Sequence, residues 1–203
     1  MYNRPVMRIS FIAALLTCVP GVLLAQDPAH LQKLFEAGQY QQVVESTPPG
    51  APPAALYTAA QSQQKLGAMD QAIALYRGLA ARPEGDPWRL IGLSAQQMLE
   101  NQLAPAVATA RQAAAAAPAM AEAHYQLGLA LARQQDWGGA AAAFDRAAEL
   151  NPSMAYSHYY GGLMHYRARR PDRMAIHFEQ FLKLAPQAPE RPEVLQIMKS
   201  VRR

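Results

Sequence analysis

The chain has 203 residues, 51% of them hydrophobic, with a formal charge of +4 and a pI near 9.3. Much of the apolar share is alanine and β-branched residues are sparse, a composition that favours helix. Arg4 and Arg8 supply two of the 19 basic residues and no acidic residue precedes Asp27, so the remainder is nearly balanced against 15 acidic residues, which excludes a nucleic-acid binder working through a basic face.

Arg4 and Arg8 precede an apolar stretch over residues 9–24, broken near its end by Pro20 and Gly21. Ala25 then leads into the polar Gln26-Asp27. A positive start, an apolar middle and a small residue before polar sequence predict a secretory signal peptide over residues 1–25, cut after Ala25. Met7 is an alternative start that leaves Arg8 as the charge before the apolar stretch. The residues before Cys18 are faintly similar to a lipoprotein box, but Thr17 suits it poorly and the apolar stretch runs on past the cysteine. Ordinary cleavage is the preferred reading, with lipidation at Cys18 the alternative. The unbroken apolar part, 9–19, is shorter than the ~20 residues that span a bilayer, so no membrane span is expected in the mature chain. Localisation is expected to be periplasmic or secreted. Cys18 is the only cysteine, so a chain cut after Ala25 makes no disulfide.

Residues 29–46 predict a helix, a turn at Gly38-Gln39-Tyr40 and a short helix through Val43 and Val44. A proline-rich linker, TPPGAPP, follows over 47–53. We divide this part as residues 26–52, a degenerate half-repeat that the linker sets slightly apart.

Beyond it, Pro118, Pro152 and Pro186 recur at one interval of 34 residues. Phased on them are four units, 53–86, 87–120, 121–154 and 155–188. Small residues occupy one register of each first helix (Ala60, Ser94, Gly128, Gly162), and Ala72, Ala106, Ala140 and Met174 face them. Four residues on stand Tyr76, Ala110, Phe144 and Phe178, and three further on Leu79, Ala113, Ala147 and Phe181, spacings that share one helix face. Asp86-Pro87 reads as a helix start, Gly67 then Asp70, Gln135-Asp136 and Arg170-Pro171-Asp172 as one turn within the first, third and fourth units, and each repeated proline as the end of a second helix. Residues 189–203 predict a terminal amphipathic helix with Val194, Leu195, Ile197, Met198 and Val201 available for burial.

The third unit, with Tyr125, Gly128, Ala140, Phe144, Ala147 and Pro152, closely resembles the tetratricopeptide repeat. The resemblance covers residues 53–188. It implies an all-α fold, a right-handed superhelical solenoid of antiparallel helix pairs, with the terminal helix covering the last core face. It also implies that first helices line a concave groove. By position that groove should show Tyr57, Gln61, Trp88, Ile91, Tyr125, Leu129, Arg133, Tyr156, Tyr159, Tyr160, Tyr166 and Arg167. Tyr and Arg are good interface anchors, although Tyr125 and Tyr159 also stand where the family uses tyrosine for packing. The family's carboxylate-gripping positions carry Tyr57, Gln61 and Ile91 here, which argues against a carboxylate clamp and for an extended or helical partner segment.

His124 and His158 lie one repeat apart, and His158 and His165 two helical turns apart; neither spacing is a metal signature. No metal, cofactor or catalytic site is expected. Glu36 and Asp145 read as solvated helix surface. The function expected is that of an exported adaptor in cell-envelope assembly. The alternatives are a self-associating protein, with the Tyr-rich last unit packing on a copy, and a non-catalytic subunit of an envelope enzyme complex.

Overall fold

The 34-residue period builds helix pairs, and each pair is punctuated in the same way. A computed structural model describes residues 27–201, so the expectations for the signal peptide, its cut and Cys18 lie outside the described residues. The elements run α1 (Pro28–Glu36), α2 (Tyr40–Glu45), α3 (Pro53–Lys65), α4 (Met69–Ala80), α5 (Pro87–Leu99), α6 (Leu103–Ala116), α7 (Ala121–Arg133), α8 (Trp137–Leu150), α9 (Ala155–Arg167), α10 (Pro171–Leu184) and α11 (Arg191–Val201). The described residues form no strand, and no helix among them is long and apolar enough to cross a membrane.

Every first helix of a unit ends in the same left-handed turn. The residue at that turn has positive φ at Gly67 (79°), Asn101 (60°), Gln135 (65°) and Arg169 (57°), one per repeat. In each case the next amide bonds back five residues: Ala68 to Gln63, Gln102 to Gln97, Asp136 to Leu131, Arg170 to His165. This double-bonded helix end satisfies carbonyls the last turn would leave bare. Only the first of the four carries glycine at this position. The second helices stop one residue before Ala117, Asn151 and Ala185, each followed by a repeated proline. Asp86 caps α5 by accepting the Trp88 amide at 2.9 Å, as Asp86-Pro87 predicts.

The small-residue register lets the paired helices approach. A Cβ on Gly128 would lie 2.7 Å from the Phe144 ring, and one on Gly162 would collide with Phe178. At Ser94 the hydroxyl instead donates to the Ala106 carbonyl of the facing helix at 2.9 Å, so the polar group is buried but satisfied. Tyr76, Phe144, Phe178 and Phe181 fill the grooves between units and are fully buried. A chain of bonds links the first three units: Tyr57 hydroxyl donates to Gln126 Oε1 at 2.8 Å, and Gln126 Nε2 donates to Ser94 Oγ at 3.1 Å.

Two expectations are corrected at the ends. The N-terminal half-repeat does not sit apart. Leu31, Phe35 and Val43 are buried, α1 and α2 pack on α3, and the pair reaches across the solenoid to its far end. The Phe35 ring lies 5.0 Å from that of Tyr156, and Glu36 Oε1 accepts the Ala155 amide at 3.2 Å. Gly38 abuts Pro189 so closely that a Cβ would lie 2.7 Å from the proline ring. In α11, Val194 and Met198 are buried, but Leu195 and Val201 remain 46% and 39% exposed because they point away from α10.

Candidate functional site

First helices α3, α5, α7 and α9 contribute the inner wall of the solenoid, and α1 lies across it. Between them is a cavity of about 330 Å³, lined among others by Lys33, Phe35, Glu36, Tyr57, Gln61, Trp88, Glu122, Tyr125 and Tyr156. The superhelix therefore ends in a chamber roofed by the chain's own N-terminal helix.

Five of the twelve residues expected on the groove come together here: Tyr57, Gln61, Trp88, Tyr125 and Tyr156. They are not an open aromatic strip. Tyr57, Tyr125 and Tyr156 are 4%, 4% and 1% exposed, and the Trp88 ring packs 5.6 Å from Tyr57. Burial pushes the hydroxyl pKa of Tyr57 and Tyr125 well above the ordinary phenol value. Burial does the same at Tyr156, reinforced by Tyr40 and by Glu190, whose Oε2 accepts its hydroxyl at 2.7 Å. These groups remain neutral donors.

The other seven lie elsewhere. Ile91 is wholly buried in the core, and Tyr159 is buried with its hydroxyl donating to Glu193 at 2.9 Å. Tyr160 is half-buried, stacked on Phe144 at 5.5 Å and edge-on to Tyr125 and Tyr159. Leu129 is half-buried against the core. Arg133, Tyr166 and Arg167 lie towards solvent, with Arg167 5.3 Å over the Trp137 ring. The aromatic surplus of the last unit is thus largely packing: Tyr156, Tyr159 and Phe181 form a mutual cluster, and Tyr156 meets Phe35 of the half-repeat.

Glu36, read from sequence as solvated, is 8% exposed. Burial raises its carboxyl pKa, opposed by bonds from Gln32 and Ala155 and by the charge of Lys33. No local signal marks it, because its partner Ala155 lies 119 residues away.

A second polar group sits between the third and fourth units. His165 Nε2 and His177 Nε2 both lie against Asp145 Oδ1, at 2.9 and 2.8 Å. Burial would raise the Asp145 pKa, but the bonds from His177 and His165 outweigh it and hold the carboxyl below its ordinary value. Asp145 is therefore no surface decoration. The three residues come from α8, α9 and α10, and no spacing test within one helix finds them. His124 and His158 have packing roles, each facing the carbonyl of the preceding repeat's proline, at 3.0 Å for Pro118 and 3.2 Å for Pro152.

Comparison with known proteins agrees with this geometry. Residues 121–154 match the family described as Tetratricopeptide repeat. No curated protein matches the chain. The crystal structure of TTC0263, a thermophilic TPR protein in Thermus thermophilus, superposes with a TM-score of 0.62 at 22% identity, covering 86% of this chain and 99% of that one. A chain of the APC/C hetero-tetramer Cut9–Hcn1 gives a TM-score of 0.56 at 15% identity, covering 82% of this chain and 34% of that one. A chain of the CopN–Scc3 complex gives 0.50 at 17% identity, covering 63% and 75%. The tetratricopeptide-repeat reading of the sequence is supported, and the fold is that solenoid.

Proposed function

For a solenoid of tetratricopeptide repeats, we propose the role of an exported, non-catalytic scaffold that holds a segment of a partner protein on its inner side, in cell-envelope assembly. The observation that carries the reading is the roofed chamber of about 330 Å³. That volume lies at the lower end of the ~300–1,000 Å³ typical of ligand pockets. It admits an anchor side chain and its flanking backbone rather than a whole helix.

The lining suits that task. Tyr57, Trp88 and Tyr125 offer apolar faces, and Gln61 and Glu122 offer polar contacts beside them. Aromatic residues lose little rotamer freedom on binding and bury much area. Similar folds occur in chains that belong to the Cut9–Hcn1 and CopN–Scc3 assemblies. The export part rests on Arg4, Arg8 and the apolar stretch before Ala25.

The test compares proteins retained by the tagged chain and by Gln61→Trp, which fills the chamber from a half-buried position. The reading predicts an envelope protein retained by the first and lost from the second. Identical retention by both contradicts it.

Self-association has one specific observation in its favour, the exposure of Leu195 and Val201 on α11. It no longer rests on the tyrosines, of which Tyr156 and Tyr159 are sealed inside. A mass that rises with concentration in the wild-type chain and not in Leu195→Glu would favour it.

A further inference from the structure

We propose that Asp145, His165 and His177 form a binding site for one first-row divalent transition cation, of which Zn²⁺ is the type, at the junction of the third and fourth units. The repeat itself supplies the first argument. One period before His165, His177 and Gly161 stand Leu131, Ala143 and Leu127. The chain therefore already contains an apolar solution for this layer, and the last unit abandons it at three places at once. Gly161 belongs to the change, because a Cβ there would lie 2.9 Å from Cε1 and Nδ1 of His177. One period before Asp145 the chain has Arg111. Two periods before, the same layer holds Gln97 and Thr109, so what sets the last unit apart is the pairing of two imidazoles on one carboxylate.

Geometry is the second argument. One ligand atom from each of the three residues lies within 4.8 Å of the others. Both imidazoles address the same oxygen, at 2.9 and 2.8 Å. Around a tetrahedral Zn²⁺ with bonds of about 2.0–2.2 Å, ligand atoms stand roughly 3.3 Å apart. Admitting the ion therefore asks the carboxylate to retreat by about half an ångström from each ring. The Asp145 side chain is 26% exposed, while those of His165 and His177 are 2% and 9% exposed. The carboxylate thus gives the ion an entry path and leaves a fourth position open to water. Two imidazoles and a carboxylate match the preferences of zinc and its neighbours.

Polar accounting bounds the strength of the site. Nδ1 of His165 and of His177 are buried without a partner, as is Nδ1 of His158, whose ring stands 5.4 Å from that of His177. Neither the hydrogen bonds to Asp145 nor an ion held at Nε2 relieves that deficit. A histidine ligand without an acceptor on its second nitrogen loses about 10–100-fold in affinity.

The test uses the full chain, freed of metal with a chelator and titrated with CoCl₂ at about pH 7.5, where ordinary imidazoles are neutral. The site predicts one Co²⁺ per chain with the intense visible band of a four-coordinate ion, displaced by ZnCl₂. The triple variant Gly161→Leu/His165→Leu/His177→Ala copies Leu127, Leu131 and Ala143, so it retains a packing the chain already uses. It should keep its helical circular dichroism and lose the band. Asp145→Asn, which preserves volume, should weaken Co²⁺ binding by about tenfold or more. Absence of the band in the wild-type chain overturns the proposal, as does equal binding by the variants.

Discussion

Lys65 Nζ lies 2.7 Å from Glu190 Oε1, tying the end of α3, the first repeat's first helix, to the approach of the terminal helix across 125 residues of chain. The same carboxylate accepts the Tyr156 hydroxyl through its other oxygen, and the Lys65 ammonium stands 5.5 Å over the Tyr156 ring. The junction closes the inner side of the solenoid beside Phe35 and Tyr40.

Two substitutions separate charge from hydrogen bonding at this junction. Glu190→Gln removes the ion pair and keeps an acceptor for Tyr156. Because Lys65 is partly exposed, the cost should be no more than about 1 kcal/mol. Glu190→Ala also strips the acceptor from a buried hydroxyl and should cost about 1–3 kcal/mol. Urea denaturation of both variants checks the order, and equal costs would mean that the hydroxyl bond contributes nothing.

The buried carboxyl of Glu36 makes the attachment of α1 pH-dependent. Its folded-state pKa is raised, chiefly by burial. Its contribution is therefore fully present below the unfolded pKa and is lost as pH rises through the folded value. Stability of the wild-type chain relative to Glu36→Gln should fall from about pH 4 towards pH 7. A difference that stays constant in denaturation curves over that range contradicts the assignment.

The left-handed turns offer a stabilisation that can be graded. Gln135→Gly and Arg169→Gly relieve a conformation that side chains disfavour, and each should stabilise the chain by about 1 kcal/mol. Asn101→Gly should gain less, since asparagine tolerates this conformation, and Gly67→Ala should lose about 1 kcal/mol. Melting temperatures of the four variants give the ranking directly.

Gly128→Ala tests the small-residue register. Alanine is the better helix former by about 1 kcal/mol, but its methyl would meet the Phe144 ring at 2.7–2.9 Å. Phe144 is fully buried, so any shift of its ring disturbs the packing around it. The variant should be destabilised by about 1–2 kcal/mol net. A stabilised variant would mean that the helices can separate.

The sequence made the repeats legible because their signals are local and recur. Pro118, Pro152 and Pro186 end second helices, Gly128 and Gly162 admit Phe144 and Phe178, and Asp86 caps α5. The shared turn was legible at Gly67, at Gln135-Asp136 and beside Arg170-Pro171-Asp172, and missed at Asn101, where neither glycine nor proline marks it. What the sequence left hidden depends on superhelical curvature. Phe35 and Tyr156 are far apart in the chain, and no periodicity states that an N-terminal helix will roof the inner wall. Of the residues placed on the groove face by family register, Tyr57, Gln61, Trp88, Tyr125 and Tyr156 line the chamber, as enclosed side chains and not as an open surface. Asp145, His165 and His177 escaped for the same reason, being brought together by the stacking of α8, α9 and α10.

The most direct test of partner binding in the chamber is a pair of photocrosslinks in cells, from Gln61 inside it and from Ile176, which is 57% exposed on the outer helix α10. The account predicts one envelope protein crosslinked from position 61, through a defined peptide, and absent from the products at position 176. Crosslinks from position 61 that reach only this chain's own α1, with a partner captured from position 176, would contradict it and place recognition on the outer face.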